Sequence, residues 1–147
     1  MQHKEWTRGA YAINTDKARL DVAAIHAYLS EQSYWARNIP RQLVEKSIAN
    51  SLCYGIYLGR EQAGFGRVIT DYATFGYFSD IFVLEPHRGK GLSKWLVECI
   101  LTDPEFRPLR NWTLYTKDAH GLYAGFGFGA PGDPASVMCI KKENPYP

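Results

Sequence analysis

The chain has little cysteine, no paired cysteine motif and no long apolar run. Cys53, Cys99 and Cys139 are widely separated and odd in number, so neither a disulfide framework nor a metal-ligand spacing is present. Each sits in an apolar stretch (Leu52-Cys-Tyr54, Val97-Glu-Cys-Ile100, Val137-Met-Cys-Ile140), which predicts three buried thiols in a reducing compartment. No apolar stretch approaches membrane-spanning length, and Met1 to Trp6 carries no apolar leader, so a cytoplasmic protein with no membrane partner is expected. Charge of one sign is also scarce. The net charge is +2 and the 17 basic residues are scattered, which argues against a nucleic-acid partner. Repeats, low-complexity blocks and interdomain linkers are absent, so residues 1–147 are expected to form one domain.

What is present is a globular composition. With 46% apolar and 14% aromatic residues, 147 residues can bury a core without metal or disulfide support. Tyr11 to Asn14 predicts a short first strand with Trp6 packing nearby, and Asp21 to Leu29 a helix with Asp21 at its start. Ser30 to Asn38 reads as a loop or broken helix. A second helix opens at Pro40 and carries Leu43, Val44, Ser47 and Ile48 on one side. Cys53 to Leu58 and Ala63 to Ile69 flank Gly59-Arg-Glu61 as a hairpin, and Phe75 to Leu84 continues a three-strand antiparallel meander. A helix from about Gly91 to Leu101 follows, with Leu92, Leu96 and Cys99 or Ile100 inward, ended by Asp103-Pro104. Trp112 to Thr116 reads as a central strand parallel to the one before the helix, and Asp118 to Ala124 as a short helix. A penultimate strand is expected to emerge from the glycine-rich Gly125 to Gly132, and Val137 to Lys141 to form the last. The expected class is α/β or α+β, a mixed sheet with helices on both faces.

The most informative stretch is Leu84-Glu-Pro-His-Arg88-Gly-Lys-Gly91-Leu-Ser-Lys94. An apolar strand enters a tight basic turn with two glycines, and a helix begins inside that turn. Consecutive backbone N–H groups, the unpaired first-turn donors of a helix and its positive dipole end together form an anion cradle. Arg88, Lys90 and Lys94 add positive charge. The third glycine of a dinucleotide fingerprint is missing, and no Gly-x-x-x-x-Gly-Lys-Ser/Thr run exists.

Arg88-Gly-Lys-Gly91-Leu-Ser93 resembles the Arg/Gln-x-x-Gly-x-Gly/Ala signature of the GNAT N-acetyltransferase family. The preceding Ile81-Phe-Val-Leu-Glu-Pro86 and the downstream Ala119-His-Gly-Leu-Tyr123-Ala-Gly-Phe-Gly127-Phe128 are similar to that family's flanking segments, and the element order matches along nearly the whole chain. The resemblance implies a mostly antiparallel sheet whose fourth and fifth strands are parallel and splayed. It implies acetyl-CoA as cosubstrate, its pyrophosphate on Arg88, Gly89, Lys90, Gly91, Leu92 and Ser93, and its pantetheine arm along Phe82, Val83 and Leu84. An N–H of Phe82 or Val83 would serve as oxyanion donor. Ser93 replaces the usual Gly/Ala, and Thr116 stands where many members place an Asn that touches the arm. Tyr123 takes the position of the family's general acid, against the alternative of a core tyrosine; His120 beside it is expected to face water.

The base is open. Asp80, in an otherwise apolar strand, would accept the amine's proton directly or through water, or bind a cationic substrate; otherwise it is a structural carboxylate paired with Arg67. Tyr77 lies where some members place a basic carboxylate and cannot act as one. Tyr34, Trp35, Asp71, Tyr72 and Tyr77 are expected to line an aromatic, mildly anionic pocket for a cationic amine, each with packing or surface exposure as its alternative. Arg107 and Arg110 read as solvated charges or contacts to the 3′-phosphate of CoA. The implied activity is direct acetyl transfer from acetyl-CoA to a primary amine of a small molecule or peptide. No cysteine lies in a nucleophile motif with a histidine, so no acyl-enzyme is expected. The alternative is a non-catalytic acyl-CoA-binding or regulatory module on the same fold. An exposed sheet edge near the C-terminus would suit a homodimer.

Overall fold

A computed structural model describes residues 2–147. Six strands lie side by side in chain order: β1 (Glu5–Arg8), β2 (Tyr11–Asn14), β3 (Leu52–Leu58), β4 (Glu61–Thr70), β5 (Phe75–Val83) and β6 (Asn111–Thr113). Neighbours are antiparallel from β1 to β5, and only β5 and β6 run parallel. That exception follows from α3 (Leu92–Leu101), which carries the chain back across one face, as a parallel connection requires. The remaining helices are α1 (Val22–Glu31), α2 (Arg41–Ala49) and α4 (His120–Ala124).

Two apolar layers sandwich the sheet. Ile25 and Leu29 of α1 and Val44 and Ile48 of α2 pack with Cys53, Phe65 and Phe82 on one face. Leu92, Trp95, Leu96, Val97, Cys99 and Ile100 of α3 pack with Tyr54, Ile56, Val68, Phe78 and Tyr123 on the other. This is the expected mixed sheet with helices on both faces. Asp21 caps α1 by accepting from the Ala24 N–H at 3.0 Å, as its place at the helix start suggested.

Several elements differ from the sequence reading. Trp6 belongs to a strand, β1, which the polar run Glu5-Trp-Thr-Arg8 concealed; it closes on β2 through Gly9. Within α2, Val44 and Ile48 are one turn apart and point inward, whereas Leu43 falls off that stripe and is exposed. β6 is parallel to β5 as expected, but it is the outermost strand and only three residues long. Val137 to Lys141 forms no strand, nor does the glycine-rich segment before it. A β-segment needs a backbone neighbour to satisfy its N–H and C=O groups, and the short β6 offers too little edge for one. Val137, Met138 and Ile140 are therefore exposed, and so is Cys139; Cys53 and Cys99 are buried as expected. No helix among the described residues is long and apolar enough to cross a membrane.

The buried layer makes stability pH-dependent in one direction. Burial raises the Tyr57 phenol to about 12, raises Tyr54 further, pushes the Cys99 thiol to about 11 and also raises Cys53. The Tyr54 and Tyr57 hydroxyls find no hydrogen-bond partner inside. The folded state thus holds these protons more tightly than the unfolded chain, whose thiols and phenols titrate near ~8.5 and ~10. Stability should be full below about pH 8.5 and fall as pH rises from there toward 12. Urea unfolding midpoints at pH 8 and pH ~10.5 should show a clear drop at the higher value; equal midpoints would mean these groups are not sealed from solvent.

Candidate active site

β5 ends at Val83 and the chain passes through a 3-10 turn, Glu85–His87, before Arg88-Gly-Lys-Gly91 delivers it to α3. Gly89 and Gly91 have φ of +79° and +71°, the left-handed region open to glycine without a Cβ penalty. Gly91 is the N-cap of α3 and gives no side-chain cap. The first helical bond is Trp95 N–H to the Gly91 carbonyl at 3.0 Å, so the amides from Gly89 through Lys94 have no backbone acceptor. The resemblance assigned Arg88 through Ser93 to an anion; the Arg88 N–H is taken by the Glu85 carbonyl at 3.2 Å, whereas the amides of Gly89 through Ser93 are free of backbone partners.

The turn is fastened on several sides. The Arg88 Nε donates to the Val83 carbonyl at 2.9 Å, and the Tyr11 hydroxyl is hydrogen-bonded to His87 Nδ1 at 2.9 Å. From β1, Arg8 Nη2 donates to the carbonyls of Lys90 and Gly91 at 3.1 and 3.3 Å. A shallow cleft of about 560 Å³ beside the turn is lined by Arg8, Lys90, Lys94, Trp95 and Phe126, a cationic and aromatic surface.

The register decides which part of the β5 end faces outward. β5 and β6 pair only at Phe75, Gly76 and Tyr77, after which the two diverge and leave β5 unpartnered on that side. Asp80 and Ile81 together oppose Gly66, a bulge in which Asp80 takes φ +54°. Past the bulge, the Leu84 N–H bonds the Ala63 carbonyl at 2.8 Å, and the Leu84 carbonyl accepts from His87. The Phe82 carbonyl also faces β4, where a Cβ on Gly64 would lie 2.8 Å from it. Alternation along the strand then turns the Val83 N–H into the fork. Of Phe82, Val83 and Leu84, only Val83 presents main chain to the opening. The Phe82 ring instead stacks on Tyr28 at 4.0 Å beneath α1.

The fork encloses a cleft of about 520 Å³ that gathers Tyr34, Trp35, Tyr77, Asp80, Thr116 and Tyr123. Tyr123 is buried, and burial raises its phenol to about 12, with Tyr34 and Asp118 adding to the shift. It is therefore a protonated donor across the neutral range. Tyr34 accepts the Lys117 N–H at 2.8 Å, and Thr116 accepts the Ala119 N–H at 3.0 Å, fixing the start of α4. Asp80 accepts from the Trp35 indole at 2.7 Å with one oxygen and from Arg67 Nε at 2.8 Å with the other. Arg67 also donates to Ser51 and Ser79, and both members of the ion pair are nearly buried.

Some expected members lie elsewhere. Asp71 closes the β4–β5 turn by accepting from the N–H groups of Ala73, Thr74 and Phe75 and the Thr74 hydroxyl, and the Thr74 bonds foremost hold its carboxyl well below the usual range. Tyr72 stacks on Phe106 at 6.0 Å, and Arg110 bonds Thr74, at the end of β5 remote from the glycine turn. His120 is exposed. With Asp71 absent and Asp80 neutralised by Arg67, the cleft is aromatic but not anionic: Asp118 shares its wall with Lys117 and Lys141. Lys117, Lys141, Tyr115 and Arg8 had no assigned role. No local signal pointed to Arg8, because the polar run that holds it concealed β1.

Residues 49–129 match the profile of the acetyltransferase (GNAT) domain. A candidate acetyltransferase of Gibberella zeae is 34% identical over 140 residues, covering 82% of this chain and 79% of its own. A solved GNAT-family structure from Xanthomonas campestris pv. campestris is 43% identical, covers 95% of this chain and 99% of its own, and superposes with a TM-score of 0.91. The fold is shared at lower identity, 16%, with a GNAT family acetyltransferase from Elizabethkingia anophelis solved with acetyl-CoA bound (TM-score 0.62, 84% and 79% coverage). By fold, signature turn and relatives alike, this chain belongs to the GNAT family of acetyltransferases.

Proposed function

We propose that the protein transfers the acetyl group of acetyl-CoA directly to a primary amine of a small molecule or peptide, with Tyr123 as general acid. What supports this reading is a row of unpaired turn amides following one end of β5 together with a buried, protonated phenol in the cleft beside the same strand. The amides of Gly89 through Lys94 fit a diphosphate: they are free donors at a helix N-terminus, and Arg8, Lys90 and Lys94 set positive charge around them. When bound, acetyl-CoA supplies an activated thioester. The Val83 N–H, turned into the fork, is placed to donate to a carbonyl oxygen as negative charge grows there. Tyr123 holds a proton to give to the departing sulfur.

Asp80 is assigned a positioning role instead of a basic one. Both of its oxygens are engaged, so it fastens Trp35 over the cleft and stabilises the bulge that aims Val83. The amine's proton then leaves to water. That occupied carboxylate is also what favours the rival reading, a non-catalytic acyl-CoA-binding module. Release of free CoA across an amine panel separates the two: tight CoA binding with no turnover on any acceptor supports the module.

Two variants test the assignments. Tyr123→Phe should lower kcat by roughly 100-fold while leaving the KM for acetyl-CoA near wild type. Because the phenol lies at about 12, the wild-type rate should show no alkaline loss from this group up to about pH 10. An unchanged kcat in Tyr123→Phe would remove the general acid. Asp80→Asn leaves the Arg67 guanidinium unpaired in a nearly buried site, and should cost about 3 kcal/mol in urea unfolding. Undiminished stability with a large fall in kcat would return Asp80 to the role of base.

A further inference from the structure

Arg8 lies on β1, far from the turn in sequence, yet its Nη2 donates to two consecutive carbonyls, Lys90 at 3.1 Å and Gly91 at 3.3 Å. Its guanidinium also stacks over the Trp95 ring at 5.0 Å, so the head is held from below as well as by the bonds it makes. Each carbonyl belongs to a planar trans peptide, in which C=O and N–H point in opposite directions. The Lys90 carbonyl shares its plane with the Gly91 N–H, and the Gly91 carbonyl with the Leu92 N–H. The Gly91 carbonyl also accepts the Trp95 N–H at 3.0 Å, so α3 itself fixes the Leu92 amide; the Lys90 carbonyl is held by Arg8, and holding it fixes the Gly91 amide on the far side, facing away from β1.

We propose that Arg8 is a positioning residue for cosubstrate binding, a clamp that presets the Gly91 amide before the diphosphate of acetyl-CoA arrives. The inference rests on the acetyl-CoA reading above and adds the residue that prepares its anion site. The need is specific to this turn. Arg88 and His87 fasten the turn before Gly89 and the Trp95 N–H holds it after Gly91, which leaves the Lys90–Gly91 peptide, between two left-handed glycines and with no side-chain cap on α3, tethered through Arg8. Peptide planes flanked by glycine rotate at little cost, and an amide that must reorient on binding weakens affinity. A cation whose Nη2 bonds the Lys90 carbonyl while its planar head rests on Trp95 removes that freedom, and it polarises the peptide so that the Gly91 N–H becomes a better donor.

The test compares wild type, Arg8→Lys and Arg8→Ala in two measurements. Calorimetric titration with CoA should show affinity about tenfold weaker in Arg8→Ala, and in Arg8→Lys a loss closer to that of Ala than to wild type. In steady state the KM for acetyl-CoA should rise in parallel with little change in kcat. Lysine keeps the charge but not the planar head that rests on Trp95 and aims Nη2 at the turn, so an Arg8→Lys variant that binds CoA as wild type would show that charge alone operates and overturn the clamp. In the unliganded proteins, 15N relaxation should show the Gly91 amide ordered in wild type and mobile in Arg8→Ala, with α3 unaffected. Equal order in both would also overturn it. Failure of the wild-type protein to bind CoA would defeat the acetyltransferase reading itself, and the relaxation measurement would still decide whether Arg8 sets the Gly91 amide.

Discussion

β6 leaves β5 after Tyr77, and the rest of the site accommodates that departure. A strand that loses its neighbour exposes alternate N–H and C=O groups, which must find other partners or face solvent. Here the exposed edge is divided. The Val83 carbonyl is taken by Arg88, reaching back from the glycine turn, and the Val83 N–H is left turned toward the opening. The same divergence creates the cleft farther down β5, at Tyr77 to Ile81, and lets Tyr123 approach it from α4. Glycine turn, free amide and phenol thus follow from one topological event, the crossover through α3.

The Asp80 bulge is the second dependency. An extra residue in β5 shifts which residues beyond it face β4, so the direction of Val83 is settled at Asp80. A non-glycine residue with φ +54° is costly on its own. The ion pair with Arg67, itself tied to Ser51 and Ser79, and the Trp35 indole hold it in place. A nearly buried ion pair adds little net stability because desolvation offsets the attraction. Its value here lies in geometry: it makes the unbulged register unfavourable, since that would strand two charges.

What could be read from sequence divides along the same line. The Gly59-Arg-Glu61 hairpin, the Gly89 and Gly91 turn and α3 are written in local pattern, because loop chemistry and the spacing of Leu92, Leu96 and Ile100 fix them within a few residues. The Arg67–Asp80 pair was also foreseeable, as a carboxylate in an apolar strand demands a partner. β1 was not legible, because an edge strand needs only one apolar anchor and Trp6 alone gives no period. Val137 to Lys141 was misread for the opposite reason: its apolar content suits a strand, but pairing depends on an edge that β6 is too short to supply. Nor could Val83 be separated from Phe82 and Leu84, since the bulge that sorts them is a property of two strands together. Asp71 looked like a pocket carboxylate because turn-capping and ligand-binding aspartates carry the same local signal.

The neutralised carboxylate bears on the chemistry more than its loss as a base suggests. An amine must be uncharged to attack a thioester, and a free carboxylate beside it would favour the ammonium form and hold it unreactive. Asp80 spends its charge on Arg67 instead, and Asp118, exposed at the rim, shares its wall with Lys117 and Lys141. On the proposed activity, the attraction left for an acceptor would come from the faces of Tyr34, Trp35, Tyr77 and Tyr115, which favour a cation only weakly compared with a desolvated carboxylate and would release the neutral amine without penalty. On the proposed activity, an aromatic cleft whose nearly buried carboxylate is already paired would therefore suit an amine that sheds its proton to solvent before it reacts.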